Sequence, residues 1–244
     1  MNDIFNSWLV QRYIAHRGLH DEKLPENSLA AFKNAVEKDY AIELDVRQIA
    51  DGTVIVFHDD LLKRMTDKSG YAKNISCKHC LKEYKLNGTK QVIPTLKEVL
   101  DLVDGKVPLL IEVKNTGKVG ALEEALWDLL KDYKGEYAVE SFNPYVLEWF
   151  KKNAPQVIRG QLSGSFIGEN LSFIKKFALK RMMLNKCVSE PHFIVYESRA
   201  LPNRFVKKYK HLPLLAWDVT SQKEYNRVVK HCDNIIFDNF IPKI

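Results

Sequence analysis

Short apolar runs recur along this chain, and several stop abruptly at charged residues. Tyr13-Ile14-Ala15 is followed by His16-Arg17-Gly18. Ala41 to Val46 carries Glu43 and Asp45 inside it, Val54 to Phe57 leads into His58-Asp59, and Leu109 to Val113 carries Glu112 before Lys114. Runs of this length bounded by polar residues predict buried strands. Strands are expected around Ile14, Leu44, Ile111, Val139, Arg159, Val195, Leu215 and Ile236. Helical spacing fills the gaps, over Val119 to Tyr133, Pro144 to Asn153 and Ser221 to His231. Two further helices have start signals: Asn27 as an N-cap, and Thr95-x-x-Glu98 as a capping box. Strand and helix in alternation predict a parallel α/β fold.

One apolar run breaks the alternation. Thr53 to His58 follows the strand ending near Gln48 after only Ala50-Asp51-Gly52, too short for a parallel crossover, so the two must form a hairpin. Setting that arm aside leaves eight parallel strands, the number that closes a TIM (β/α)8 barrel. The arm would carry His58 back toward the barrel mouth. The polar, Lys-rich stretch from Leu61 to Pro94 then reads as a small insertion over the C-terminal face, within one domain spanning 1–244.

The charged residues acquire meaning from this fold. His16, Glu43, Asp45, Glu112, Lys114, Ser141, Gln161, Trp217 and Asp238 fall near C-terminal strand ends, where barrels of this class place their active sites. Glu43 and Asp45 lie two apart, as do Glu112 and Lys114, so each pair shares one strand face. Three carboxylates together repel unless a cation joins them, and oxygen-only ligation selects Mg²⁺ or Ca²⁺. Glu43, Asp45 and Glu112 are the expected ligands of one divalent metal ion. His16 and His58 suit general acid–base work, and Arg17 and Lys114 suit charge neutralisation on phosphoryl oxygens. Asn27, Arg17, Lys114 and Trp217 are expected to touch substrate, with Ser141, Phe142, Gln161 and Asp238 further candidates to line the pocket.

These motifs, in this order, resemble the glycerophosphodiester phosphodiesterases. The matching residues are His16-Arg17-Gly18, Glu26-Asn27-Ser28, Glu43-Leu44-Asp45-Val46, Asp51-Gly52, His58-Asp59 and Glu112-Val113-Lys114. Weaker matches continue through Ser141-Phe142-Asn143-Pro144, Arg159-Gly160 and Trp217, so the resemblance covers nearly the whole chain. Gln48-Ile49 and Asp218-Val219-Thr220 depart from the family's pattern, away from the acid, base and metal positions. The resemblance implies metal-dependent hydrolysis of a small glycerophosphodiester to sn-glycerol 3-phosphate and an alcohol, with the His pair as acid and base. Two other readings use the same residues: a phospholipase D-like hydrolase of lysophospholipids, and a non-catalytic anion-binding barrel.

Composition adds little beyond this. The 244 residues suffice for one large core, and the net charge of +6 favours anionic partners. Its bases are dispersed and no nucleic-acid-binding motif stands out, so nucleic acid is not an expected partner. Cys77-Lys78-His79-Cys80 lacks a second ligand pair, and ordinary reduced cysteines are expected there rather than zinc. No stretch reaches membrane-spanning length, and no secretory signal opens the sequence, so a cytoplasmic enzyme without stable membrane insertion is the expectation. An apolar cluster of Ile4, Phe5, Trp8 and Leu9 is expected to pack as an N-terminal helix beneath the barrel. Oligomeric state is not readable from the sequence.

Overall fold

The computed structural model describes residues 4–115, 117–168 and 171–243. Its strands are β1 (Ile14–Ala15), β2 (Ala41–Gln48), β3 (Val54–Val56), β4 (Leu109–Val113), β5 (Tyr137–Ser141), β6 (Arg159–Ser163), β7 (Phe193–Glu197), β8 (Leu214–Val219) and β9 (Asn234–Phe237). The helices are α1 (Trp8–Gln11), α2 (Leu29–Glu37), α3 (Leu96–Val103), α4 (Ala121–Leu130), α5 (Pro144–Asn153), α6 (Phe173–Lys180) and α7 (Gln222–Val228). With β3 set aside, eight strands alternate with helices in the (β/α)8, or TIM barrel, class. All eight expected strand centres lie inside observed strands. Contacts divide the chain into two compact units, Ala15–Tyr137 and Met1–Ile14 with Ala138–Ile244.

In the first unit, β2 pairs in parallel with β4, placing Asp45 beside Glu112. It also pairs antiparallel with β3, Val46 opposite Val56, which is the expected hairpin. Gly52 makes the turn with a positive φ of 88°, and Asp51 accepts the Thr53 amide at 3.0 Å. Beyond β3 the ladder continues, with the Phe57 amide donating to the Asp45 carbonyl at 2.9 Å. His58 is thus returned to the level of the β2 carboxylates. Thr95 caps α3 in the capping box its spacing predicts.

Residues 61–94 carry a small core of their own. Leu62, Met65, Ala72, Ile75, Leu81, Leu86 and Ile93 pack with Ile49, Ile55 and Phe57 of the hairpin. The segment is built of 3-10 turns at Leu62–Arg64, Ala72–Asn74 and Lys78–Glu83, whose irregular apolar spacing explains its weak periodicity in sequence.

In the second unit, β5 to β9 pair in parallel, each with the next. Pro144 at the first turn and Asn143 at the N-cap start α5, and Ser221 caps α7. Trp8 and Leu9 are buried on α1, and the Asn234 amide donates to the carbonyls of Leu9 and Arg12 at 2.7 and 2.6 Å. The helical reading of that cluster holds for Trp8 and Leu9, while Ile4 and Phe5 belong to a preceding 3-10 turn. Helix α6 was not expected from the sequence.

Candidate active site

Eight of the expected site residues gather in the first unit. Glu43 and Asp45 on β2 and Glu112 on β4 are buried, with relative exposures of 1%, 0% and 7%. Glu43 and Glu112 offer carboxylate oxygens within 4.8 Å of one another. Asp45 sits between cations instead. Its Oδ1 lies 3.1 Å from Lys114 Nζ, and its Oδ2 lies 3.4 Å from Arg17 Nε. Lys114 also reaches Glu112 Oε1 at 2.8 Å. Burial works against an ionised Asp45, but Lys114, His58, Arg17 and His16 outweigh it and hold the carboxyl well below its ordinary range. Burial likewise opposes the charged Lys114, and Asp45 and Glu112 reverse that and raise it.

Asn27 corrects a sequence expectation. The N-cap of α2 is Ser28, whose side chain accepts the Ala31 amide at 3.2 Å. Asn27 instead adopts the left-handed conformation, with φ of 55°, and turns its side chain onto Asp45. Its Nδ2 donates to Asp45 Oδ2 at 2.8 Å, and its Oδ1 accepts the Asp45 amide at 3.3 Å. The two neighbours divide the labour because a cap needs extended backbone, which Ser28 has and Asn27 lacks. Asn27 therefore orients a buried carboxylate.

The His-Arg-Gly turn is also dictated sterically. Gly18 has φ of 80°, and a Cβ there would come within 2.9 Å of the Phe32 ring and 3.0 Å of the Ala31 carbonyl carbon. The tight turn directs the Arg17 amide to Glu43 Oε2 at 2.8 Å. His16 Nε2 lies 3.8 Å from the same oxygen.

His58 is held from two sides. Its Nδ1 meets Asp59 Oδ1 at 2.6 Å, and its carbonyl accepts the Arg47 guanidinium at 2.6 and 2.9 Å. Arg47 also pairs with Asp60. Burial opposes ionisation of Asp59, but the bonds from His58 and Arg64 lower its carboxyl strongly. An ionised Asp59 only accepts, so Nδ1 carries the hydrogen and Nε2 is left to exchange a proton with a ligand. An open pocket of about 600 Å³ is lined by Arg47, His58, Asp59, Asp60, Leu61, Lys63, Arg64 and Lys114.

Sequence reasoning assigned no role to Glu26, Asp59, Arg47 or Arg64. Arg64, in the first 3-10 turn of the insertion, forks onto Asp59 at 2.6 and 3.0 Å and onto Glu26 at 2.7 and 2.8 Å. Glu26 in turn accepts from Arg17 Nη1 at 2.6 Å. A continuous chain of charged hydrogen bonds thus runs from His58 through Asp59, Arg64 and Glu26 to Arg17. Glu26 and Asp59 lay within the motifs quoted above; Arg64 stands outside them, and nothing local marks it.

Glu43, Asp45 and Glu112 bring three buried carboxylates together beside Lys114 and Arg17. Buried like charges are costly, and a hard divalent cation meets both the charge and the oxygen donors.

Trp217 belongs to the second unit, on β8. Its Nε1 donates to the Ser163 carbonyl at 3.0 Å, and its ring meets Phe142 edge-on at 5.4 Å between centroids. Phe142 also packs against Phe166, and the Gln161 amide donates to the carbonyls of Ser141, Phe142 and Leu162.

Residues 16–239 match the model of the glycerophosphoryl diester phosphodiesterase family. A glycerophosphodiester phosphodiesterase of Caldanaerobacter subterraneus is 38% identical over 160 residues, covering 61% of this chain and 65% of that protein. One from Bacillus altitudinis is 29% identical over 183 residues, covering 70% of this chain and 74% of that protein. Among solved structures, an Oleispira antarctica phosphodiesterase in complex with the product sn-glycerol-3-phosphate superposes with a TM-score of 0.78. It is 22% identical and covers 94% of this chain and 93% of its own, a likeness of fold. The chain belongs to the glycerophosphoryl diester phosphodiesterase family, whose members are phosphoric diester hydrolases.

Proposed function

We propose that this protein hydrolyses small glycerophosphodiesters to sn-glycerol 3-phosphate and an alcohol, with a divalent cation bound by Glu43, Asp45 and Glu112. The observation that carries this reading is the buried Glu43–Glu112 carboxylate pair, with Asp45 next to it and Lys114 and Arg17 beside it. Asp45 Oδ2 already accepts from Asn27, but Oδ1 is only ion-paired with Lys114 and accepts no hydrogen bond among the described residues, so the carboxylate retains capacity for a cation. Lewis-acid polarisation of a non-bridging phosphoryl oxygen is the chemistry that Mg²⁺ or Ca²⁺ supplies in such a site.

The protein's own groups divide the remaining work. Lys114 and Arg17 meet the negative charge on the phosphoryl oxygens. His58, oriented by Asp59, presents Nε2 for proton transfer, and His16 beside Glu43 serves as its counterpart. Asn27 fixes Asp45, and Trp217 is proposed to contact the glycerol moiety. We read 1–244 as one catalytic domain with 61–94 as an insertion. Four free cysteines fit a reducing compartment, and we place the reaction in the cytoplasm. Among the described residues, no helix is long and apolar enough to cross a membrane.

The test is turnover of glycerophosphocholine, glycerophosphoethanolamine and glycerophosphoglycerol with Mg²⁺, Ca²⁺ or EDTA. Release of sn-glycerol 3-phosphate that stops after chelation and returns with the cation is the expected result. Undiminished turnover in excess EDTA after dialysis would remove the metal from this reading. Binding of the diesters without turnover would leave an anion-binding barrel.

A further inference from the structure

The surface around α6 does not resemble the rest of the molecule. The helix buries none of its residues, and Phe173, Ile174 and Ile167 before it are 81%, 79% and 87% exposed. Met183 and Phe177 are also exposed. Single exposed apolar side chains need no explanation, but five large ones between Ile167 and Met183, with the Phe173 and Phe177 rings 6.2 Å apart, concentrate apolar surface that water does not favour.

The same surface is basic. Lys175, Lys176, Lys180, Arg181 and Lys186 lie in or just after α6. The fold adds Lys208, whose Nζ donates to the Arg181 carbonyl at 2.7 Å. The Arg181 guanidinium lies 3.7 Å over the Phe177 ring, so charge and apolar surface are interleaved. Burial, then Lys186 and Arg181 as like-charged neighbours, lower the Lys208 ammonium. No carboxylate among the described residues forms an ion pair with Lys175, Lys180, Arg181, Lys186 or Lys208. Crowded cations beside exposed Phe and Ile are the composition of a helix that lies in a lipid headgroup layer. A second copy of this chain fits less well, because a two-fold contact would set each basic cluster against its own image.

We propose that α6 and its flanking residues dock the protein on the surface of an anionic bilayer. Ile167, Phe173, Ile174 and Met183 enter the headgroup layer, and Lys175, Arg181, Lys186 and Lys208 meet lipid phosphates. The patch is small, so docking is reversible. It follows directly on the C-terminal end of β6, the kind of strand end where this fold gathers its functional loops. The proposal is independent of the catalytic reading above.

Co-sedimentation with vesicles tests it, using phosphatidylcholine alone and phosphatidylcholine mixed equally with phosphatidylglycerol. The full chain is expected to pellet with the anionic vesicles at low salt and to be released as salt rises. Phe173→Ser with Ile174→Ser should weaken binding roughly tenfold or more, from the apolar area lost. Lys175→Glu with Lys186→Glu should remove the preference for phosphatidylglycerol. Both variants should melt at the parent temperature, since the altered side chains are exposed. Failure of the parent to pellet, equal binding to neutral vesicles, or binding indifferent to both double substitutions would overturn the proposal. So would a dimer in light scattering that the Ser pair dissolves, which would assign the patch to a protein contact.

Discussion

His58 and Asp59 are tied at 2.6 Å, and the proposed proton transfer predicts what each contributes to turnover. Removing the imidazole by His58→Ala should lower kcat by roughly 10² to 10⁴. Asp59→Asn should cost less, because the ring stays while its tautomer is no longer imposed. Steady-state kinetics on both variants checks the order, and equal rates in parent and His58→Ala would make the histidine structural. His192 yields a pH prediction away from the site. Burial, then the neighbouring Arg159, pushes its imidazole down to about 4, and its Nδ1 accepts the Arg159 amide at 3.2 Å. Below the ordinary value of about 6.5 the unfolded chain takes up a proton that the folded chain refuses. Stability should therefore fall as pH drops from about 6.5 to about 4, and this contribution should level off below that. Urea melts at about pH 7 and about pH 5 should show a smaller difference in His192→Asn, which keeps an acceptor but cannot titrate.

Among the elements, the insertion has two parts with different expected sensitivities. Its first 3-10 turn carries Arg64, which holds Asp59 and Glu26 together. Arg64 is half exposed, so its ion pairs contribute little to stability, on the order of 1 kcal/mol or less. Its effect should fall on geometry instead: Arg64→Ala should reduce kcat by up to about 10²-fold with little change in Tm. Arg64→Lys should not restore it, since an ammonium lacks the planar fork that gives Asp59 and Glu26 two bonds each. A Tm loss that tracks the kcat loss would reduce Arg64 to a structural role. The third turn, with Cys77 Sγ 3.0 Å from Cys80 Sγ, is expected to be dispensable. Replacing both cysteines with Ser should leave turnover and metal content unchanged, as assay and elemental analysis would show. Stoichiometric zinc lost in the double variant would contradict this.

For the whole molecule, the proposed function predicts that the glycerol side of the phosphodiester is recognised and the other alcohol is left toward the open pocket. Similar kcat/KM values are expected across glycerophosphodiester headgroups. Bis(p-nitrophenyl) phosphate, which has no glycerol, should be a much poorer substrate despite its better leaving group. A preference for the nitrophenyl diester, or for long-chain lysophospholipids over soluble diesters, would favour the lipid-directed reading.

The eight strands, the hairpin and the starts of α3 and α5 were legible in the chain because each depends on neighbours a few residues away. Periodicity reports which face is buried, and Thr95-Glu98 or Asn143-Pro144 can be read without knowing the fold. Carboxylates and histidines at strand ends were legible for the same reason, since a buried strand rarely ends in charge without cause. Only the tertiary structure decided the partners of those charges. Asn27 passed the cap to Ser28 and turned to Asp45, eighteen residues on, because its backbone lies in the left-handed region. Arg64 joined Glu26 to Asp59 across a sequence separation of 38 from Glu26. The core of 61–94 and the exposed face of α6 were equally hidden. In each case the deciding energy lies in charge pairing, burial or exposure set by distant segments, and local sequence carries no record of those distances.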